Sequence, residues 1–168
     1  MTPLTELRDR IIGIADMAVS TDPCERLVTH ALGSCLGVVV HDPIAGVGGL
    51  LHVMLPLSEI DPEKAMRNPC LFVDTGVPEL FRACYRAGAA KERLVVKVAG
   101  GAYAGNDERA DQFQVGKRNV LTLRKLLWKN GVILRAEEVG GQRVSRTLSL
   151  VLSTGEVVVK SNGRETVL

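Results

Sequence analysis

No apolar run in this 168-residue chain approaches the roughly 20 residues that a bilayer-spanning helix needs. Residues 1–10 alternate charged and apolar side chains and lack the apolar block of a secretory leader, so the expected compartment is the cytoplasm. A net charge of +2 is too small to point to nucleic acid or to an anionic membrane as partner. The four cysteines, Cys24, Cys35, Cys70 and Cys84, contain no Cys-x-x-Cys pair, and in a reducing cytosol they are expected to be free thiols. No short-range ligand pair of the kind common in zinc sites occurs; the spaced His30, His41 and His52, with Cys24 and Cys35, leave a metal site only as a remote reading. Gly100-Gly101 stands alone, without the remaining glycines of a dinucleotide or Walker motif, and reads better as a close backbone approach to another segment or to a substrate. No cofactor is therefore expected. There is no internal repeat or low-complexity tract.

What is present is a chain with 46% hydrophobic and 24% charged residues, the balance of a single globular domain spanning 1–168, with 1–10 frayed or forming a short helix. Strands are expected at 11–19, 27–32, 36–41 and 49–54, at 94–98, and at 132–138, 146–153 and 156–160, the last two joined as a hairpin through Thr154-Gly155. Residues 56–69 read as a long polar loop bordering whatever precedes them. Two main helices stand out. In 75–87, Val77, Leu80, Phe81, Cys84 and Tyr85 repeat with the period of one buried face, Pro78 falls in the first turn and Gly88 closes the helix. In 116–130, Val120, Leu123, Leu126 and Leu127 form the stripe, Gly131 the end, and Lys117, Arg118, Arg124, Lys125 and Lys129 a basic face suited to acidic helices. Trp128 reads as core or partner contact, and His41, beside Asp42-Pro43, as an exposed turn residue. Strands outnumber helices and come in antiparallel-looking runs, which argues for an α+β fold of mostly antiparallel or mixed strands.

The chemistry concentrates in Thr29-His30-Ala31-Leu32-Gly33-Ser34-Cys35 and Leu50-Leu51-His52-Val53-Met54-Leu55-Pro56. A thiol follows a small-residue turn, and an imidazole sits in the next apolar strand. With a tight turn at Pro43-Ile44, Cys35 would face His52 directly across a hairpin, about 4.5–5.5 Å apart at Cβ. A strand at 27–32 beside that hairpin would let the Thr29 hydroxyl accept the second imidazole N–H. The Gly33-Ser34 backbone amides would be placed to hold an oxyanion. An activated nucleophile would show as a thiol of depressed pKa. Read on pattern alone, Cys35 is equally a small buried hydrophobe and His52 a core histidine.

These segments resemble the chemoreceptor glutamine deamidase CheD family of bacterial and archaeal chemotaxis. Leu32-Gly33-Ser34-Cys35 is similar to the family's nucleophile turn, His52-Val53-Met54-Leu55-Pro56 to its base segment, and Thr29 to its threonine. The resemblance continues through Lys97-Val98-Ala99-Gly100-Gly101-Ala102, through Val115-Gly116-Lys117-Arg118-Asn119, and through Gly140-Gly141, Arg146 and Thr154-Gly155, with Ser145 standing where the family has a glycine. It implies a layered α-β-β sandwich. It implies hydrolysis of glutamine side-chain amides on methyl-accepting chemoreceptors, with Cys35, His52 and Thr29 catalytic and Gly100, Gly101, Arg118 and Asn119 in substrate-contacting or structural loops. Glutamate methyl esters are open to the same chemistry. The resemblance also implies the chemotaxis phosphatase CheC as a partner, for which the chain would serve as a regulatory module even without catalysis.

Overall fold

The computed structural model describes residues 6–168. Its strands are β1 (Arg8–Ile11), β2 (Asp16–Ser20), β3 (Glu25–Leu32), β4 (Leu36–Asp42), β5 (Val47–Val53), β6 (Val95–Gly100), β7 (Leu134–Val139), β8 (Arg146–Val151), β9 (Val157–Ser161) and β10 (Arg164–Val167). The α-helices are α1 (Pro62–Arg67), α2 (Val73–Arg86) and α3 (Val115–Lys129). The strands form two five-stranded mixed sheets, ordered β1-β3-β8-β9-β10 and β2-β5-β4-β6-β7. In each sheet one pair, β1 with β3 and β6 with β7, is parallel.

Alternation along β4 and β5 explains the layering. Val38, Val40, Leu51 and Val53 point one way and pack with Val77, Leu80 and Cys84 of α2 and Val120, Leu123 and Leu127 of α3. Val39 and Leu50 point the other way, against Leu27, Leu148, Leu150 and Val159 of the second sheet. A strand buried on both faces must be apolar at every position, which is why 38–40 is an unbroken valine run. The result is the expected helix–sheet–sheet sandwich of α+β class.

Several local expectations are revised. The single strand at 11–19 is two strands in different sheets, broken at residues 12–15, where Ala15 has φ 55. The frayed or helical start at 1–10 falls partly on 1–5, outside the described residues, and otherwise gives β1, held in parallel register along β3. The loop at 56–69 contains α1, started by Pro62 in its first turn and an Asp61 side chain accepting from Lys64 N. Helix α2 begins at Val73, so Pro78 lies inside the helix rather than in its first turn. His41 is buried, not exposed, because the ring faces the other sheet and Gly155 of the β8–β9 turn packs on it; burial pushes its imidazole pKa down. Trp128 is not core: it is 81% exposed.

The β4–β5 connection is four residues, 43–46, not two. Asp42, fully buried, organises it. One carboxylate oxygen accepts from Ile44 N (2.9 Å) and Ala45 N (3.0 Å), the other from Ala90 N (2.9 Å), and Arg93 binds the group from outside the turn at 2.9 Å. Burial pushes this carboxyl up, but Arg93 and the three amides outweigh it and hold it far below the usual carboxylate range. A carboxyl depressed by folding stabilises the protein fully above its unfolded value near pH 4 and loses that contribution as pH falls through the folded value. Asp42→Asn is therefore expected to melt several degrees below wild type at neutral pH. Melting curves from pH 7 down to pH 2 should show the gap narrowing in acid; a constant gap would mean that the charge of Asp42 is not what stabilises the turn.

Candidate active site

The chain changes sheet between β1 and β2 through residues 12–15 and between β3 and β4 through residues 33–35, both at the end of the sandwich where β7 also crosses over to β8. The candidate residues gather at those two crossings. Just before the second, β3 carries an irregularity between Thr29 and Leu32 in its pairing with β8, and Ala31 there has φ 58. A bulge of this kind bends a strand and re-aims the next stretch of chain, here the turn that carries Cys35.

The β4–β5 register pairs Gly37, not Cys35, with His52. The direct opposition expected for Cys35 is thus displaced by two residues, because the connection is longer than a tight turn. A shift of two preserves the face. Cys35 packs against the hydrophobic cluster between the sheets, and His52 reaches Thr29 on the opposite sheet, so both side chains occupy the intersheet side. Thr29 does not lie beside the hairpin; it faces His52 from the other layer.

The Thr29–His52 contact fixes the imidazole. Thr29 Oγ1 lies 2.7 Å from the Ile12 carbonyl oxygen and 2.7 Å from His52 Nδ1. A hydroxyl has one proton, and the carbonyl only accepts, so the proton goes to Ile12. His52 Nδ1 must then donate to Thr29, which leaves Nε2 with its lone pair. That nitrogen is buried and has no hydrogen-bond partner among the described residues. His52 itself is fully buried, and burial pushes its pKa below the ordinary 6.5. Its backbone carbonyl accepts from Ala15 N at 2.8 Å, tying the base strand to the first crossing. Ile12 contributes only a carbonyl, so its side chain gave no signal in the sequence.

Cys35 is partly buried. Burial raises its thiol pKa above the ordinary 9.0, and the N–H of the same residue, bonded to the sulfur, pulls the other way. The depressed value expected of a pre-formed thiolate is not what this environment favours: among the described residues no cation lowers the thiol pKa, and burial favours neutral His52. The pair is a thiol and a free base.

The turn is clamped from behind. Gly33 O accepts from Ala102 N (2.9 Å), Ser34 O from Asn119 Nδ2 (3.0 Å) and Cys35 O from Gly101 N (2.9 Å). Gly100, at φ 119, lies so close that a Cβ there would fall 2.0 Å from Cys35 O. Arg146 supports it, reaching Gly100 O at 3.2 Å and Glu138 at 2.9 Å. Gly100, Gly101 and Asn119 are thus structural neighbours of Cys35. Arg118 is exposed on α3. Of the expected oxyanion donors, Gly33 N is taken by Ala31 O at 3.1 Å, whereas Ser34 N and Cys35 N donate to no backbone carbonyl among the described residues. No cluster of three potential metal ligands occurs among the described residues, and His30 is exposed with Nδ1 3.2 Å from Thr147 Oγ1.

The single Thr29 proton dictates an observable tautomer. Nitrogen-15 NMR of the imidazoles should show His52 as a single Nδ1-protonated tautomer in wild type and as a tautomer mixture in Thr29→Val. An Nε2-protonated ring in wild type would reverse the assignment. Gly100→Ala should destabilise the protein by about 2 kcal/mol or more, through the unfavourable φ and the collision with Cys35 O, readable by urea titration.

Comparison with known proteins places the chain in a family. A family model described as CheD chemotactic sensory transduction matches residues 54–161, a span that includes Gly100, Gly101 and Asn119 and begins just after His52. A relative from Syntrophus aciditrophicus, named "Probable chemoreceptor glutamine deamidase CheD 1", is 47% identical over 92% of this chain and 95% of its own length. A relative from Anaeromyxobacter dehalogenans is 46% identical over 89% of the chain and 92% of its own length, and one from Solibacter usitatus 44% identical over 92% and 90%. Both carry the same chemoreceptor glutamine deamidase designation. With a family model matching well over half its length and relatives of this identity spanning nearly all of it, the chain belongs to the CheD family.

Proposed function

We propose that this protein hydrolyses glutamine side-chain amides on methyl-accepting chemoreceptors, as the names of its relatives indicate for them, with Cys35 as nucleophile, His52 as general base and Thr29 orienting the base. The observation that carries this reading is the tautomer lock: Thr29 leaves His52 Nε2 unprotonated and unpartnered, on the side of the sheet that Cys35 shares.

In the first step His52 Nε2 removes the Cys35 thiol proton as sulfur attacks the glutamine carboxamide carbon. The carbonyl oxygen becomes an oxyanion, held by the amides of Ser34 and Cys35. The imidazolium then protonates the leaving nitrogen, ammonia departs and a thioester remains. Water, deprotonated by His52, attacks the thioester; Cys35 leaves, recovers a proton, and glutamate is released. Every proton passes through Nε2. A folded receptor helix offers its glutamine side chains while its backbone amides stay hydrogen-bonded, which favours deamidation over peptide cleavage. Glutamate methyl esters fit the same acyl chemistry. Residues 1–168 act in this scheme as one catalytic domain in the cytoplasm, where receptor signalling helices are found. Among the described residues no helix is long and apolar enough to cross a membrane. Binding of the phosphatase CheC is a separate property of the surface and should survive loss of the thiol.

Ammonia release from a receptor cytoplasmic fragment should vanish in Cys35→Ala and fall on the order of 10²-fold or more in His52→Ala; equal release from wild type and Cys35→Ala would refute the nucleophile. The pH dependence has a definite sign. The neutral imidazole is the working form, and burial pushes its pKa below the ordinary 6.5, so the acid limb of kcat/KM should be centred below pH 6.5, with activity lost as pH falls through it. An acid limb centred above 6.5 would contradict a buried, neutral base.

A further inference from the structure

Each of the three carbonyls of the Cys35 turn accepts from a donor elsewhere in the fold, and this fixes where the amides face. In a planar trans peptide the C=O of one residue and the N–H of the next point in opposite directions. Holding Gly33 O against Ala102 N therefore turns the Ser34 N–H away from Ala102, and holding Ser34 O against Asn119 Nδ2 turns the Cys35 N–H away from Asn119. The donors to Gly33 O and Cys35 O are backbone groups. The donor to Ser34 O is a single side chain, from the first turn and a half of α3.

Asn119 is fully buried, so it cannot meet a substrate. Its Nδ2 makes a second bond, 2.8 Å to Met54 O, two residues beyond His52. Both partners are carbonyls, so the assignment of nitrogen and oxygen in this amide is unambiguous. One NH2 group thus spans the nucleophile turn and the end of the base strand. Its Oδ1 is buried without a donor among the described residues, and buried orphans of this kind are uncommon outside functional sites. Gly116, three residues earlier, seats α3 tightly on this region: a Cβ there would fall 2.3 Å from Ala102 O.

We propose that Asn119 is a positioning residue for the amide hydrolysis: by clamping the Ser34 carbonyl it aims the Cys35 backbone N–H at the oxyanion, and through Met54 it keeps that N–H in register with His52. This role rests on the proposed amide hydrolysis and adds a residue to it.

The test uses the full chain with a receptor cytoplasmic fragment. Asn119→Ala should lower kcat on the order of 10²-fold, the scale of losing one oxyanion donor, with KM within about twofold. In Asn119→Asp the ionised carboxylate cannot donate, but the protonated carboxyl can donate one bond. Its rate relative to wild type should therefore climb as pH falls, while the Asn119→Ala ratio stays flat. Iodoacetamide labelling read by mass spectrometry supplies an arm independent of substrate. Cys35 should label severalfold faster in Asn119→Ala, because the unclamped turn solvates the sulfur, while buried Cys70 and Cys84 stay protected. Wild-type kcat in Asn119→Ala, a loss confined to KM, a pH-independent Asn119→Asp ratio, or joint exposure of Cys70 and Cys84 would each overturn the proposal. If wild type releases no ammonia, the hydrolase reading itself has failed, and the labelling arm alone then decides the clamp: faster labelling confined to Cys35 upholds it, unchanged labelling rejects it.

Discussion

One proton on one hydroxyl organises the site. Thr29 has a single hydrogen to give, and the Ile12 carbonyl, 2.7 Å away, takes it. That donation sets the tautomer of His52, the lone pair on Nε2 and the suitability of that nitrogen for taking a thiol proton. The interaction is cheap in residues but demanding in architecture. It needs a carbonyl from the first sheet crossing, a hydroxyl from one sheet and an imidazole from the other within one hydrogen-bond length of each other.

The sandwich meets that demand by crossing between its sheets repeatedly at one end. Residues 12–15 supply the carbonyl of Ile12 and the amide of Ala15 that holds the His52 backbone; residues 33–35 supply the nucleophile. The site is built where the backbone leaves one ladder and has not yet entered the next, which is where amides without ladder partners occur. Those amides need restraint: Asn119 provides it from the helix side, the Gly100-Gly101 turn from the end of β6, and Arg146 from β8 of the other sheet. Cys35 and His52 rest as a neutral pair, both shifted by burial toward their uncharged forms. Such a resting state avoids an unpaired charge between two apolar layers, where it would be costly.

Some of this was legible in residue order. The period of Val77, Leu80, Phe81 and Cys84 located α2 and its buried face, and the valine run at 38–40 announced a strand covered on both sides. The Gly100-Gly101 pair read as a close backbone approach, and a 2.0 Å Cβ–carbonyl separation bears that out. The hairpin register was not legible. Asp42 draws two turn amides and Arg93 onto its carboxylate and so sets a four-residue connection, and the Arg93 end of that network comes from far along the chain. The strand at 11–19 was divided because a sheet crossing leaves no hydrophobic break. His41 was misplaced for a related reason: the glycine that buries its ring, Gly155, arrives with a different hairpin.

By itself the sequence determined the inventory: which thiol follows a small-residue turn, which imidazole sits in an apolar strand, and which threonine precedes them, together with the helical and strand periods of an α+β chain. Those are properties of residue type and local spacing. The tertiary structure alone decided that Thr29 meets His52 across the sheets rather than along one, that Gly33 spends its amide locally while Ser34 and Cys35 do not, and that Asn119 grips the nucleophile turn. Each depends on groups distant in the chain being brought within about 3 Å, and hydrogen-bond geometry at that range is set by packing, which no local pattern encodes.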